Sequence, residues 1–367
     1  MSVKLILDNG MVFEGEGLGC NTNTAKGEII FNTSMVGYQE IITDPNNYGK
    51  IIVMAYPLMG NYGLTDDDNQ SQNIQVAGLV VSEQNDNPSN FRFTTTLNES
   101  LQLSGTPGIS GVDTRALVKL IAKSEKPIYA MITTKDIDVK EAMKELENIK
   151  GQGGEVQAVT CKRVLYMRTR NPKYNVVVVD CGLKTSVRKE LNALSCNLIV
   201  VPFNTSCEDI LKYNPDGVLF SNGPGNPKEN ECLISLAKEL KGKVPMLGIG
   251  LGFQILCLSY GFDTKRRAVS VSGSSVPVKD LKTNKVLVTS QYTSYRVVEK
   301  DVEGLEVIYK SIRDGFVEGI EDEQNEVIAI QFEPNSTGDK TGADVLNRFV
   351  EYMAKHVGDE GGNINKY

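Results

Sequence analysis

Short apolar runs separated by turn-forming residues occupy the first third of the chain. Each run is rich in β-branched residues and is bounded by Gly, Asn or Thr, as is typical of strands. The runs cover residues 4–7, 28–31, 50–54 and 75–81. Asp113 precedes an apolar stretch ending at Ile121 and predicts a capped helix, and residues 140–150 predict a charged helix. The pattern predicts a β-rich N-terminal domain with a few helices.

From residue 174 onward, strand-like and helix-like segments alternate. The predicted strands lie within residues 175–182, 197–202, 217–220 and 245–249, and the predicted helices cover 186–195, 232–241 and 255–260. Further strands are expected after residue 286, followed by a last helix over 342–355. Such alternation implies right-handed crossovers and predicts a doubly wound α/β sheet, whose functional sites lie at the carboxyl ends of the strands.

The two patterns give a domain organisation. Residues 1–150 form the N-terminal domain, and residues 151–173, which begin with Gly-Gln-Gly-Gly and show no periodic pattern, form a linker. Residues 174–357 form the α/β domain. The remaining residues, 358–367, are rich in Gly, Asp and Asn and are expected to be a frayed tail.

Composition narrows the class of partner and the compartment. A formal charge of −7 argues against a broad basic surface for nucleic acid. No apolar stretch approaches the roughly 18 residues of a membrane span, and the turn at Asn9-Gly10 comes too early for a signal peptide. The seven cysteines are scattered and form no C-x-x-C pair, which favours reduced thiols in the cytoplasm. With one histidine, His356, any Cys/His couple must use that residue.

A glycine-rich turn lies between the predicted strand 245–249 and the helix that follows. Strand, Gly-x-x-x-Gly turn and helix make the geometry of a nucleophile elbow, in which the central residue is presented at a helix N-terminus. The central residue here is Gly250, which has no side chain. The alternative of a phosphate-binding loop fits poorly, because Phe253 stands where a dinucleotide motif needs glycine and the lysine of a P-loop is absent.

Several motifs resemble a known family. Residues 223–227, 248–252 and 331–335 resemble the three signature blocks of class I, triad-type glutamine amidotransferases. Residues 27–45, 56–63 and 108–115 resemble the small, glutaminase subunit of carbamoyl phosphate synthetase, and the likeness runs from residue 3 to residue 355. The resemblance implies an α/β protein with a β-rich N-terminal domain followed by a flavodoxin-like amidotransferase domain.

The resemblance also implies an activity and a partner. In the family, a cysteine attacks the amide of glutamine, a histidine relays the proton to ammonia, and a glutamate orients the histidine. The ammonia passes to a large subunit, which uses ATP and bicarbonate to make carbamoyl phosphate for pyrimidine or arginine synthesis. The expected partner is therefore that large subunit or a paralogue of it. No cofactor and no metal are expected in this chain.

The chain departs from the family at the triad. The cysteine position is Gly250, the histidine position is Glu333, and the glutamate position is Asn335. Loss of triad members typically costs several powers of ten in rate, so glutamine hydrolysis should be negligible.

The glutamine pocket is altered unevenly. Four residues match family positions that contact glutamine: Gly223, Gly225, Leu251 and Gln254. Asn46, Tyr292 and Ser294 replace the family's Ser, Asn and Gly, and Tyr295 keeps an aromatic ring. Other family histidines are replaced by Phe253, Ser272 and Val276, which accounts for the low histidine count.

Substitutes for the lost groups are few. Cys257 lies seven residues past Gly250, about 10 Å along a helix, and is expected in the core. His356, near the end of the last helix, is expected to be a surface imidazole. Glu333 could serve as a general base in another reaction. The run Asp66-Asp67-Asp68 lacks metal-ligand spacing and predicts a solvated loop.

Three functions stay open on the sequence alone. The first is a small-subunit-like protein that does not hydrolyse glutamine and serves as a non-catalytic partner of an ammonia-using large subunit. The second is a regulatory module that binds glutamine or a related metabolite without turning it over. The third is a repurposed enzyme that uses Glu333 on another substrate.

Overall fold

The computed structural model describes residues 2–334 and 341–359. The chain forms two compact units. The first comprises residues up to Glu155 together with Arg267–Gly273, and the second comprises Val156–Arg266 and the chain from Ser274 onward. The sequence had not indicated that residues 267–273 belong to the first unit. Of the predicted frayed tail, residues 360–367 lie outside the described residues, as does Asn335.

The first unit is built around a closed β-barrel. Its strands are β1 (Ser2–Leu7), β2 (Val12–Gly19), β3 (Ala25–Asn32), β4 (Ile51–Met54), β5 (Leu58–Met59), β6 (Gly78–Val80), β7 (Glu83–Gln84), β8 (Pro107–Ser110) and β9 (Tyr129–Thr133). Its helices are α1 (Tyr38–Thr43), α2 (Leu97–Leu103), α3 (Thr114–Ala122) and α4 (Val139–Ile149). The barrel order is β1-β2-β8-β6-β4-β3-β9, and β1 closes it by pairing antiparallel with both β2 and β9. The short strands β5 and β7 pair with each other.

Alternation along the barrel strands creates two apolar clusters. Ile29 and Ile51 belong to one cluster, whereas their neighbours Ile30 and Ile52 belong to the other. This follows from the period of two in a strand, which sends successive side chains to opposite faces. The β-rich prediction is confirmed, as is the cap of α3, where the Asp113 side chain accepts a hydrogen bond from the Ala116 N–H at 3.0 Å.

The second unit is a mixed sheet covered by helices. Its strands are β10 (Leu165–Met167), β11 (Tyr174–Asp180), β12 (Cys196–Pro202), β13 (Gly217–Phe220), β14 (Met246–Ile249), β15 (Asp263–Asp280), β16 (Val286–Val298), β17 (Glu306–Ser311), β18 (Val317–Asp322) and β19 (Val327–Ile330). Its helices are α5 (Glu155–Val159), α6 (Thr185–Ala193), α7 (Cys207–Leu211), α8 (Glu231–Leu240), α9 (Leu251–Ser259) and α10 (Thr341–Asp359).

The centre of this sheet is parallel. Strands β12, β11, β13, β14 and β19 are neighbours in that order and run in the same direction. This is the flavodoxin-like strand order, so the doubly wound α/β prediction is confirmed. Val177 and Val179 pack in one apolar cluster and Val176 and Val178 in another, because β11 is buried on both faces.

Two parts of the second unit were not foreseen. The predicted linker, 151–173, contains α5 and β10, and β10 pairs antiparallel with β12. Elements of five and three residues are too short to show a helical or strand period. The long strand β15 was also missed, since its Lys, Arg and Ser residues hide the strand pattern. The predicted end of the first domain at residue 150 stays a prediction.

The turn between β14 and α9 depends on glycine. Gly250 adopts φ 59° and ψ −109°, in the region that disfavours residues with a side chain. At Gly252, an added Cβ would overlap the backbone carbonyl oxygen of Phe220, so α9 lies directly against β13. These two positions set the geometry at the carboxyl end of β14.

A buried carboxylate connects strand β18 of the second unit to its last helix. Glu321 on β18 has a fully buried side chain, and Lys282 Nζ lies 2.8 Å from its Oε2. Tyr352 of α10 donates its hydroxyl to Oε1 at 2.6 Å, and Arg348 of α10 contacts the same oxygen. Because the carboxylate is removed from water, it depends on these partners.

Replacing Glu321 tests this attachment. We expect Glu321→Ala to lower the free energy of unfolding by about 1–3 kcal/mol, because it leaves the Tyr352 hydroxyl and the partly exposed Lys282 and Arg348 without their common acceptor. Glu306 is the matched control, since its side chain is 57% exposed and lies 3.1 Å from the same Lys282. Glu306→Ala should cost about 1 kcal/mol or less. Urea unfolding measures both, and equal losses would contradict the assignment.

Alanine substitutions at the turn give a second test. Gly250→Ala should lower the free energy of unfolding by about 1–3 kcal/mol through backbone strain. Its Cβ would lie 3.3 Å from the Asn222 Cβ, a contact that small movements relieve. Gly252→Ala should cost more, because its Cβ meets backbone that cannot yield without moving β13 from α9. Thermal unfolding ranks the two variants, and the reverse order would refute this account of the turn.

Candidate functional site

The candidate site lies at one edge of the parallel sheet. Strands β11, β13, β14 and β19 are consecutive neighbours and run in the same direction, so the segments that follow them lie at the same edge. Those segments are residues 181–184, 221–227, 250–251 and 331–334. Of the predicted site residues, these segments contain Gly223, Gly225, Gly250, Leu251 and Glu333, whereas Gln254 lies further along α9, Tyr292, Ser294 and Tyr295 lie on β16, and Asn335 lies outside the described residues.

The elbow is held by backbone hydrogen bonds. The Gly250 N–H donates to the Ile330 carbonyl at 2.9 Å, and the Gly252 N–H donates to the Ser221 carbonyl at 3.1 Å. These bonds fix the turn between its two neighbouring strands. The backbone is arranged as in a nucleophile elbow, but Gly250 supplies no atom that could attack a substrate.

Glu333 forms a buried ion pair. Its Oε1 lies 3.2 Å from the Nζ of Lys184, and the two side chains are 8% and 6% exposed. The ring of Tyr292 on β16 lies beside this ammonium, with its centroid 4.7 Å from Nζ. The Glu333 N–H donates to the Ser290 carbonyl at 3.0 Å, which fixes the backbone that carries the carboxylate. The sequence prediction for Glu333 did not include this partner.

The loop that carries Lys184 is fixed by Asp180 at the end of β11. One carboxylate oxygen of Asp180 accepts the N–H groups of Gly182 and Leu183 at 2.9 and 2.8 Å, and the other accepts the N–H of Cys161 at 2.7 Å. Asn222 donates its side-chain amide to the Gly182 carbonyl at 2.8 Å. Lys184 is thus presented by a loop with few free backbone groups, directly before α6.

Gln254 is engaged by neighbouring protein groups. Its Nε2 lies 2.7 Å from Gln331 Oε1, 3.0 Å from Thr293 Oγ1 and 3.3 Å from the Tyr295 carbonyl. An amide nitrogen has two hydrogens, so these acceptors occupy its donor capacity. The structure therefore joins α9, β16 and the segment after β19 through one buried amide.

The other predicted pocket residues occupy three places. Gly223 and Gly225 lie in the loop after β13, and an added Cβ at Gly223 would overlap the Cys181 carbonyl oxygen. Leu251 begins α9, and Ser294 and Tyr295 lie on β16, where the Tyr295 hydroxyl accepts from Arg266 at 3.1 Å. Asn46 belongs to the first unit, where its N–H donates to the Asp44 carboxylate at 2.8 Å.

Cys257 and His356 offer no replacement for the triad. Cys257 is fully buried on α9, and burial raises the pKa of its thiol well above the ordinary value. The expected core position of Cys257 is confirmed. His356 on α10 is 21% exposed at its side chain, and its Nδ1 lies 3.2 Å from Glu326 Oε2. It is thus held beside a carboxylate and is less exposed than the sequence suggested.

The described residues contain neither a cluster of metal-ligating side chains nor a helix that could span a membrane. Within residues 2–334 and 341–359, no group of three or more His, Cys, Asp or Glu residues is placed to hold a metal ion. The acidic run at 66–68 faces Arg92, whose Nη2 lies 3.5 Å from Asp67 Oδ2 at an exposed position. No helix in the part of the chain that the structure describes is long and apolar enough to cross a membrane.

Lys184 is the site residue that sequence reasoning missed. The signal was present, because a lysine that follows a buried strand by four residues lies where parallel strands place functional groups. Its partner Glu333, however, lies 149 positions away along the chain. Only the order of the strands brings the two together.

Comparison with known proteins identifies the family. The profile described as carbamoyl-phosphate synthase small chain, CPSase domain, matches residues 5–132, and that described as glutamine amidotransferase class-I matches residues 177–353. One solved structure, a glutamine amidotransferase from Thermotoga maritima, aligns with 51% of this chain and 85% of its own, with 17% identity and a TM-score of 0.35.

Curated relatives match over nearly the whole length. The carbamoyl phosphate synthase pyrimidine-specific small chain of Bacillus subtilis (strain 168) is 38% identical over 354 residues, covering 96% of each chain. The carbamoyl phosphate synthase small chain of Bacillus caldolyticus is 39% identical over 356 residues, again covering 96% of each. With both units matched and identity at this level, the chain belongs to the carbamoyl phosphate synthase small chain family.

Proposed function

We propose that this protein is a carbamoyl phosphate synthase small chain that does not hydrolyse glutamine. It acts in the cytoplasm as a non-catalytic partner of a large subunit, or a paralogue of it, that takes free ammonia. The observation that carries the proposal is Gly250, which occupies the centre of an elbow with the backbone geometry for a nucleophile and no side chain.

The surroundings of the elbow support the loss of hydrolysis. Glu333 stands at the family's histidine position and contacts Lys184, so its carboxylate serves an ion pair and not a proton relay. Cys257 is buried in the core with a raised pKa, and burial of this kind leaves a thiol inert. Asn335, at the third family position, completes the replacement of all three groups. Removing triad members together costs several powers of ten in rate.

The family relationship supports the partner. Relatives that cover nearly all of this chain are named as small chains of carbamoyl phosphate synthase, and the barrel unit is part of that match. A small chain without glutaminase activity would leave the large subunit to use ammonia from solution. ATP and bicarbonate would be consumed by the large subunit, and no cofactor is assigned to this chain.

A glutaminase assay tests the central part of the proposal. The purified chain is mixed with a large subunit, and release of glutamate from glutamine is measured. We expect a rate at least about a thousandfold below that of a family member that keeps the elbow cysteine. The same complex should form carbamoyl phosphate when ammonium is supplied. Glutamate release at the rate of the cysteine-bearing protein would overturn the proposal.

The metabolite-binding alternative is less well supported. Gln254 matches a family position that contacts glutamine, but its donor groups already face Gln331 and Thr293. Binding glutamine would require this network to rearrange, at the cost of buried hydrogen bonds. The repurposed-enzyme alternative needs a free Glu333 carboxylate, whereas this one is paired.

Calorimetry separates these alternatives. We expect no measurable heat when glutamine is titrated into the protein to millimolar concentration, because the donor hydrogens of Gln254 already face Gln331 and Thr293. A cysteine-bearing small chain serves as the positive control. Saturable binding by this chain would favour the regulatory module over the non-catalytic partner.

A further inference from the structure

Both members of the Lys184–Glu333 pair are buried, whereas the second unit also contains exposed ion pairs. The Lys212–Asp209 pair is closer, at 2.7 Å, but its side chains are 71% and 55% exposed. The Lys184–Glu333 atoms are 3.2 Å apart with side chains 6% and 8% exposed. A charge buried to this degree needs a partner of opposite sign, whereas an exposed pair contributes little.

The ammonium group is held independently of the carboxylate. The backbone of the Lys184 loop is fixed by Asp180 and Asn222, and the Tyr292 ring lies 4.7 Å from Nζ. A ring face attracts a cation, and more so where water is excluded. The Tyr292 ring thus gives the ammonium group a favourable neighbour besides the Glu333 carboxylate.

The two charged groups reach the site from opposite sides of the elbow. Lys184 follows β11, and Glu333 follows β19 by three residues. The backbone of the latter segment is close to the elbow, since the Gln331 carbonyl oxygen lies 4.0 Å from the point where a Gly250 Cβ would stand. The pair thus lies at the carboxyl ends of the strands on either side of the elbow strand β14.

We infer that Lys184 is a carboxylate-binding residue whose binding position is filled from within by Glu333, so that the pair excludes an external anion from that position. The chemical class that the position accepts is a small carboxylate anion. The inference rests on the proposed function, because it describes the same site. Its test measures anion binding and not glutamine hydrolysis, so the inference can fail while the proposed function stands, and the proposed function can fail while the inference stands.

The experiment replaces the internal carboxylate with a free one. Glu333→Ala removes atoms that correspond to one acetate ion. Thermal unfolding of this variant is followed with increasing sodium acetate, against sodium chloride at the same ionic strength. We expect the variant to have a lower Tm than the unmodified protein. Above the dissociation constant for acetate, its Tm should rise with the logarithm of the acetate concentration. Chloride should not produce this rise.

Three controls isolate Lys184. The unmodified protein and the double variant Lys184→Met/Glu333→Ala should show no rise beyond that in chloride, because the first has its own carboxylate and the second lacks the ammonium. Asp209→Ala, at the exposed pair, should lower the Tm only slightly, through its contact with the N-cap Ser206, and should leave the response to acetate as in the unmodified protein. An equal response of Glu333→Ala and the double variant, or none in either, would overturn the inference.

A second measurement serves if Glu333→Ala does not fold. Glu333→Gln keeps the shape of the side chain and removes its charge. We expect its unfolding equilibrium constant to rise on the order of a hundredfold. Adding Lys184→Met should recover most of that loss, since no buried charge is then left alone. Strictly additive effects of the two substitutions would contradict an ion pair that closes the site.

Discussion

The close approach of α9 to the parallel sheet is the constraint on which the site depends. Gly252 lets the helix lie against the Phe220 backbone, and Gly250 takes the positive φ that turns β14 into the helix. Gly252 would be needed whether or not the turn carried a nucleophile, whereas position 250 accepts a side chain at the cost of backbone strain. A glycine at the centre relieves strain of about 1–3 kcal/mol that any other residue would impose there. On the proposed function, the fold of the elbow is kept while the glutaminase chemistry is lost.

On the proposed function, the replacement of the triad is also a change in electrostatics. A histidine that moves a proton must change its charge during the reaction, whereas Glu333 and Lys184 neutralise each other in a buried position. Buried pairs of this kind add little net stability over apolar residues, but removing one partner is costly. A single substitution that restores histidine at position 333 is therefore costly, because it would leave Lys184 without the Glu333 carboxylate.

Much of the fold could be predicted from the pattern of the sequence. The valine run of β11 is buried on both faces, which is why it could be recognised as a central parallel strand. The elbow could be recognised because Gly248, Gly250 and Gly252 stand between a strand and a helix. Strand β10 could not be predicted, because three residues are too few to show a period of two. Strand β15 could not be predicted either, because its polar residues interrupt the apolar pattern.

The composition of the site was harder to predict than its place. Gly250 and Glu333 could be assigned from their motifs, but the contact of Glu333 with Lys184 depends on strand order and on the loop that Asp180 fixes. The hydrogen bonds from Gln254 to Gln331 and Thr293 likewise depend on the packing of α9, β16 and the segment after β19 against one another. Such contacts are set by tertiary structure, and no local pattern in the sequence carries them.

The central claim is that nitrogen enters the product from free ammonia and not from glutamine. The direct measurement supplies the complex of this chain with a large subunit with glutamine labelled with ¹⁵N at the side-chain amide, together with unlabelled ammonium, ATP and bicarbonate. Mass spectrometry then reads the label in carbamoyl phosphate. Our account predicts product without ¹⁵N. Product that carries the amide label above the level of spontaneous glutamine hydrolysis would contradict it.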